Sequence, residues 1–152
     1  MAGLSDISIS NFMKVEMKNG SAFVEITDLE SWSGFQEDTS IVEVKQYNAK
    51  FARKLAASGT VNAVEMTCSF IPESASYKAL ATARASEART EFKVTYFNGA
   101  DKKEASSRTF MGIVSSYSEA TEFDAQRTCS YTIAVDGALG ALGAGGATLE
   151  TK

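Results

Sequence analysis

The chain has 152 residues, 44% of them hydrophobic and 22% charged, with a net charge of −4 and no histidine. This length and composition predict one domain with a substantial core. Without a run of about eighteen apolar residues, or a basic segment before an apolar block, we expect no transmembrane helix and no signal peptide. The acidic balance does not favour binding to a phosphate backbone. The absence of histidine removes the commonest general base and most transition-metal sites, so we predict no catalytic residue, no metal site and no cofactor.

The first elements predicted are two strands of a hairpin. Apolar and charged side chains alternate over residues 12–18, which predicts an apolar face with Val15 and a charged face with Glu16. Asn19 and Gly20 form a typical two-residue turn. Residues 21–27 predict the returning strand.

A long connection over residues 28–59 follows, and we predict it to be irregular apart from one short strand at residues 40–47. Its charges are segregated: residues 28–38 hold four acids and no base, and residues 45–54 hold four bases and no acid. Trp32, the only tryptophan, and Phe35 lie in the acidic segment. Each aromatic ring either packs into the core of its own chain or anchors an interface.

The middle of the chain predicts a strand followed by a helix. Residues 60–70 alternate, with Met66 and Cys68 on one face and Glu65 and Thr67 on the other. Pro72, the only proline, ends this strand and fits the first turn of a helix. We predict a helix over about residues 73–88, capped by Ser74 or its neighbours. Its predicted apolar stripe comprises Tyr77, Leu80, Ala81, Ala85 and Ala88.

The second half of the chain predicts three more strands and a tail. Residues 90–97, 106–121 and 123–137 read as strands, and Asn98-Gly99 reads as a turn. In the last strand, Cys129 and Tyr131 face one way, and Gln126 and Thr128 face the other. Residues 137–152 are rich in glycine and alanine without periodicity, so we predict a tail that is mobile or orders only against a partner.

These elements predict a mainly β fold: an antiparallel β-sandwich or barrel over residues 1–136 with one packed α-helix. Cys68 and Cys129 each lie in an apolar alternating run, which predicts buried, reduced thiols. A disulfide between them would require that their strands be neighbours.

Four segments carry a resemblance to a known family. SFIPES, FKVTYFNG, FMGIVSSYSEA and TCSYTIAVDG, arranged around an alanine-rich helix, resemble the major tail tube proteins of long-tailed bacteriophages over about residues 10–137. The resemblance implies a structural virion protein of the tail, assembled in the host cytoplasm and without a membrane. Hexameric rings would stack into a hollow tube, and each subunit would add strands to a continuous inner β-barrel. It also implies tape-measure, tail terminator and tail tip proteins as partners, and DNA that passes without specific binding.

The resemblance places candidate residues on two surfaces. The long loop would reach an adjacent ring, where acidic and basic segments meet; the alternative is a loop salt-bridged within one subunit. Its candidate interface residues are Trp32, Phe35, Glu37, Asp38, Lys50, Arg53 and Lys54. Polar strand faces would line the lumen, although any solvent-facing strand has the same composition. Its lumen candidates are Glu65, Thr67, Gln126 and Thr128.

Two other functions stay open on sequence grounds. One is the inner tube of a contractile tail, a bacteriocin particle or a secretion system. The other is a small β-barrel that binds nucleic acid or sugar. Its aromatic and basic cluster would be Phe92, Lys93, Tyr96 and Phe97, but two of these rings are predicted to face the core, and the acidic pI opposes nucleic-acid binding.

Overall fold

A computed structural model describes residues 3–8, 11–100 and 104–143. It contains nine strands and one helix within these ranges. In chain order they are β1 Met13–Asn19, β2 Ala22–Glu25, β3 Leu29–Trp32, β4 Glu37–Val44, β5 Arg53–Val61, β6 Val64–Ser69, α1 Ala75–Ser86, β7 Thr90–Phe97, β8 Ala105–Ala120 and β9 Thr128–Asp136. The predicted fold class, mainly antiparallel β with one packed helix, is confirmed.

Seven strands form one antiparallel sheet in the order β2-β1-β7-β8-β9-β6-β3. The sixteen-residue strand β8 is shared between two halves of this sheet. Its residues 105–112 pair with β7, and its residues 111–120 pair with β9. A register shift lies between Val114 and Ser116, where an extra residue bends the strand and increases its twist. We call the part formed by β3, β6, β9 and residues 113–120 of β8 the polar half-sheet.

One face of the sheet and the helix enclose the core. Val15 and Met17 of β1 are buried, as their alternation predicts. Glu16, predicted on a charged face, is also buried, with 2% of its surface exposed. Strand β1 lies inside the sheet, so Glu25 of β2 and Lys93 of β7 stand directly opposite Glu16. Alternation along one strand predicts which side chains share a face, but it does not show that the neighbouring strands on both sides bury Glu16.

The single helix lies where the sequence predicts it. Ser74 is the N-cap, and its side chain accepts a hydrogen bond from the Tyr77 backbone N–H at 3.2 Å. Glu87 ends the helix in a left-handed conformation. The predicted apolar stripe is confirmed at Leu80, which is buried, and at Tyr77, which packs half-buried against the core. It is wrong at Ala81, Ala85 and Ala88, which are exposed, and the other buried residues are Ser76, Ala79 and Ala83. Alanine occurs on both the buried and the exposed side of this helix, so its spacing cannot identify the packed side.

The long connection is a β-structure, which corrects the prediction of an irregular loop with one short strand. Strand β3 joins the main sheet beside β6, and β4 and β5 form a separate two-stranded hairpin. The strand predicted over residues 60–70 is divided between β5 and β6. Every residue of the hairpin strands except Val44 and Val61 is exposed. Apolar and polar side chains alternate along a strand when only one of its faces is buried. Neither face of this hairpin is buried, so its sequence shows little alternation.

The predicted tail begins beside β8 in an ordered form. Gly137 turns the chain with a positive φ of 86°. The Gly140 N–H then donates to the Thr109 carbonyl at 2.9 Å, and Gly143 and Ser107 exchange two backbone hydrogen bonds. A Cβ on Gly140 would meet that carbonyl at 2.7 Å, so only glycine permits the approach. Gly140 and Gly143 are therefore hydrogen-bonded to β8 within the segment predicted to be a mobile tail, and residues 144–152 lie outside the described part.

Candidate assembly surfaces

The outer face of the polar half-sheet is lined with hydroxyl and carboxylate side chains. Its residues alternate with the buried Val64, Met66 and Cys68 of β6. The opposing pairs between β6 and β9 are Glu65 with Thr132, Thr67 with Ser130 and Ser69 with Thr128. Those between β8 and β9 are Ser116 with Thr132 and Ser118 with Ser130.

Hydrogen bonds join side chains across this face. The Thr67 and Ser130 hydroxyls are 3.2 Å apart. The Gln126 amide donates to the Ser69 hydroxyl at 3.1 Å, and both Gln126 and Ser69 donate to the Glu30 carboxylate. The structure therefore brings the four lumen candidates, Glu65, Thr67, Gln126 and Thr128, onto one face. Glu30 joins them, and sequence reasoning missed it because β3 itself was missed.

The polar half-sheet has an unpaired edge on each side. Among the described residues, β3 pairs only with β6, and β8 beyond Gly112 pairs only with β9. Each edge presents backbone N–H and C=O groups that another strand can bind. Such edges are an aggregation hazard in an isolated domain unless something pairs with them.

The β4–β5 hairpin exposes apolar and basic side chains together. Its large exposed apolar residues are Ile41, Val42, Tyr47, Phe51 and Leu55, with Tyr47 and Phe51 at 113% and 78% relative exposure. A two-stranded hairpin is only marginally stable alone in water. The exposed apolar residues lie on both faces, since Ile41 and Val42 are sequence neighbours. Exposed apolar side chains on both faces are typical of a segment that is buried in a contact with another surface.

The charge segregation of the hairpin is preserved in space. Glu37 and Asp38 open β4 at the base of the hairpin, whereas Lys50, Arg53 and Lys54 lie at or beside its tip. Lys45 pairs with Glu43 at 3.8 Å. Within the described chain, no acid of residues 28–38 forms an ion pair with a base of residues 45–54. The acidic and basic segments therefore do not neutralise each other inside one subunit.

Trp32 and Phe35 pack in the core of their own chain. Their ring centroids are 5.7 Å apart, and Phe35 meets the buried Phe110 edge-to-face at 5.2 Å. The Arg108 guanidinium lies 5.6 Å from the centre of the Phe35 ring. Of the two alternatives for these aromatics, the structure shows the intramolecular contact. Trp32 and Phe35 are partly buried, and we do not assign them to the contact between stacked rings of subunits.

Cys68 and Cys129 stand directly opposite each other on β6 and β9, and both are free thiols. Both are buried, as predicted. Burial in the core raises the pKa of Cys68 to about 12, and the neighbouring Cys129 adds to this effect. Burial also raises the pKa of Cys129. Two neutral thiols beneath the helix are poor nucleophiles and serve as small core side chains.

We expect the stability of the fold to decrease as the pH rises above about 9. An unfolded Cys68 loses its proton near 9.0, but the folded thiol keeps it to about 12, so alkaline pH favours the unfolded chain. The loss from this thiol approaches about 1.4 kcal/mol per pH unit above the lower value. Urea unfolding at pH 8 and pH 10 measures it. The variant Cys68→Ala should lose less stability between pH 8 and pH 10. An equal loss in the variant and in the unaltered protein would contradict the assignment of this effect to the Cys68 thiol.

The described residues contain neither a cluster of metal ligands nor a helix that could span a membrane. In residues 3–8, 11–100 and 104–143, no three metal-ligating side chains are grouped together. The helix in this part of the chain is too short and too polar to cross a bilayer.

Several solved structures share this fold. One match is in the anti-feeding prophage baseplate, 6-fold symmetrised, with a TM-score of 0.77 and 8% identity, covering 93% of this chain and 98% of that chain. A second is in the sheath/tube terminator of an extracellular contractile injection system, PVC, with a TM-score of 0.72 and 9% identity, covering 93% of this chain and 100% of that chain. A third is in the SPP1 tail tube, with a TM-score of 0.69 and 13% identity, covering 89% of this chain and 80% of that chain. No protein-family model and no curated protein matches the chain. The chain therefore has the tail tube fold expected from the resemblance.

Proposed function

We propose that this protein is the structural subunit of a tail tube: copies close into rings, and the rings stack into a hollow conduit for DNA. The observation that carries the proposal is the polar half-sheet, which within the described residues has one unpaired edge on each side and a hydroxyl-rich, acidic face between them. A fold that leaves both edges of one half-sheet open is suited to joining identical copies side by side.

Ring closure would pair β3 of one subunit with residues 113–120 of β8 in the next. This contact is heterologous, and it generates a closed ring if the rotation per subunit divides the circle. We propose six subunits per ring, supported by the 6-fold symmetry stated for the anti-feeding prophage baseplate. The polar half-sheets would then form one continuous inner barrel, and no half-sheet edge would remain open.

The face between the edges would line the lumen. Its carboxylates, Glu30 and Glu65, repel phosphates, and its hydroxyls bind water. Thr67 is hydrogen-bonded to Ser130, and Gln126 to Ser69, so part of the hydrogen-bonding capacity of this face is used within it. DNA would slide along such a wall without specific binding.

The proposal includes partners and a location. A tape-measure protein would occupy the lumen during assembly, and a terminator and a tip protein would close the two ends. Assembly would take place in the host cytoplasm, and the product would be part of a virion.

A second candidate is the inner tube of a contractile tail or of an injection or secretion system. The match to a terminator of a contractile injection system favours it as much as the SPP1 match favours the first candidate. Both candidates use the same ring and the same lumen. A sheath gene beside the gene for this chain would favour the contractile machine.

Electron microscopy and edge cross-linking together test the proposal. We expect hollow tubes in negative stain at rising protein concentration. In the double variant Ser31→Cys with Ser118→Cys, the new thiols lie on opposite edges of the polar half-sheet, and a short thiol cross-linker should give a covalent ladder that ends at six subunits. The single variants are the controls and should give no ladder, because Cys68 and Cys129 are buried. Tubes without a ladder would refute the edge assignment, and monomers at every concentration would count against the tube itself.

A further inference from the structure

Two surface segments of the subunit carry opposite charge. The basic tip comprises residues 45–54 at the end of the β4–β5 hairpin. The acidic rim comprises residues 71–73, between β6 and α1, and residues 119–124, at the turn from β8 to β9. No function discussed above uses the acidic rim.

Strand β6 separates the tip from the rim. The hairpin joins the sheet where β6 begins, at Val64, opposite Ile133. The rim loops lie where β6 ends, at Ser69, opposite Thr128. A hydrogen bond from the Phe70 N–H to the Arg127 carbonyl, at 3.3 Å, holds the two rim loops side by side. The base of the hairpin and the rim therefore lie at opposite ends of the polar half-sheet.

The rim combines exposed apolar side chains with carboxylates. Phe123 is 93% exposed and Ile71 is 45% exposed. Glu73 pairs with Lys78, and Glu119 accepts a hydrogen bond from the Tyr117 hydroxyl. The remaining rim acids, Glu122 and Asp124, form no ion pair with any described residue. One base, Arg127, lies just beyond them.

The tip has the complementary composition. Tyr47 and Phe51 are its large exposed rings, and Lys50 lies 5.6 Å above the ring of Phe51. Arg53 and Lys54 begin β5 beside them. Bases therefore flank the aromatic residues of the tip, and on the rim Glu122 and Asp124 flank Phe123 in the chain. An apolar centre ringed by opposite charges is the usual construction of a specific interface.

We propose that the basic tip of one copy docks on the acidic rim of a second copy in the next ring, with Tyr47 and Phe51 against Phe123. The inference rests on the proposed tube and names the surface that receives the hairpin. A head-to-tail contact of this kind leaves a free tip at one end of the stack and a free rim at the other, so rings can be added without limit. It also revises the expectation that residues 28–38 as a whole receive the basic segment. Glu37 and Asp38 lie at the hairpin end, and Glu30 at the rim end is hydrogen-bonded to Ser69 and Gln126.

Charge reversal at the rim tests the inference. We expect Glu122→Lys with Asp124→Lys to raise the concentration needed for tube growth at least tenfold, while single rings still form. Adding Lys50→Glu and Lys54→Glu to the same chain should restore tubes, because the charges are then exchanged. The matched control is Asp6→Lys with Glu87→Lys, two exposed acids outside the rim that form no ion pair with a described residue. Sedimentation and negative stain count tubes and rings, and circular dichroism verifies that each variant folds.

The outcomes separate the inference from the proposed function. Rings without tubes in the rim variant, with recovery in the four-residue variant, support the docking. Normal tubes from the rim variant overturn the docking and leave the tube standing. A rim variant that assembles poorly and is not rescued also overturns it, since the defect then does not come from charge pairing. If the unaltered chain forms neither rings nor tubes, the proposed function fails and the inference fails with it.

Discussion

Replacing Phe110 with alanine is expected to lower the free energy of unfolding by about 3–5 kcal/mol. Phe110 is 3% exposed and stacks on Phe92 with ring centroids 5.3 Å apart. It also meets Phe35 at 5.2 Å and Trp32 at 6.5 Å. Its removal would leave a cavity bordered by three aromatic rings, which cannot collapse without moving β3 and β7. A loss of this size is a large fraction of the total stability of a small domain.

Urea unfolding followed by tryptophan fluorescence measures this loss. Trp32 is the only tryptophan and lies beside Phe110, so its emission reports on the same cluster. Phe123→Ala is the matched control, because it removes an exposed ring and should change the stability by less than about 0.5 kcal/mol. If Phe110→Ala lowers the free energy of unfolding by less than about 1 kcal/mol, this aromatic cluster does not hold the two halves of the sheet together.

Reversing two charges at the hairpin tip, Lys50→Glu with Lys54→Glu, is expected to stop tube growth. Both side chains are exposed and neither forms an ion pair within the described chain, so the fold should lose no more than the cross-strand contact of Lys54 with Glu43, about 0.2–1 kcal/mol. Against an acidic rim, each reversal replaces an attraction with a repulsion of up to about 1 kcal/mol. Every subunit of a ring repeats the change, so the cost per stacked ring is several times larger.

Turbidity and negative stain over a concentration series measure the effect. The control is Lys18→Glu with Arg84→Glu, which changes the net charge equally at exposed sites outside the hairpin. High salt should weaken tube growth of the unaltered chain, because it screens exposed charges. Normal tubes from the tip variant would show that the hairpin bases take no part in stacking.

The sequence predicted those elements whose burial is one-sided. Residues 106–121 read as a strand, and β8 occupies Ala105–Ala120. The helix was signalled by Pro72 and Ser74, whose chemistry is local and needs no knowledge of the fold. By contrast, Gly140 was read as part of a mobile tail. Its role depends on the Thr109 backbone beside it, which no local pattern encodes.

The assembly surfaces were predictable to different degrees. Alternation placed Glu65 and Thr67 on one face, and the register of β6 with β9 brings Thr128 to the same face. Whether Trp32 packed inward could not be decided from composition, because its contact with Phe110 joins residues distant in sequence. The acidic rim was missed because its residues come from two loops that meet only when β6 pairs with β9.

The short backbone pairing of residues 140–143 with β8 bears on the fidelity of assembly. Residues 105–110 of β8 have β7 on one side and lie beyond the end of β9 on the other. Without Gly140 and Gly143, this stretch would present a further free edge on the β9 side of β8, whereas the edge proposed to close the ring lies on the β7 side. A neighbouring copy could then pair at the wrong edge and produce branched aggregates. By occupying that stretch, the segment after Gly137 leaves an incoming strand only the ring-closing edge of β8 to pair with.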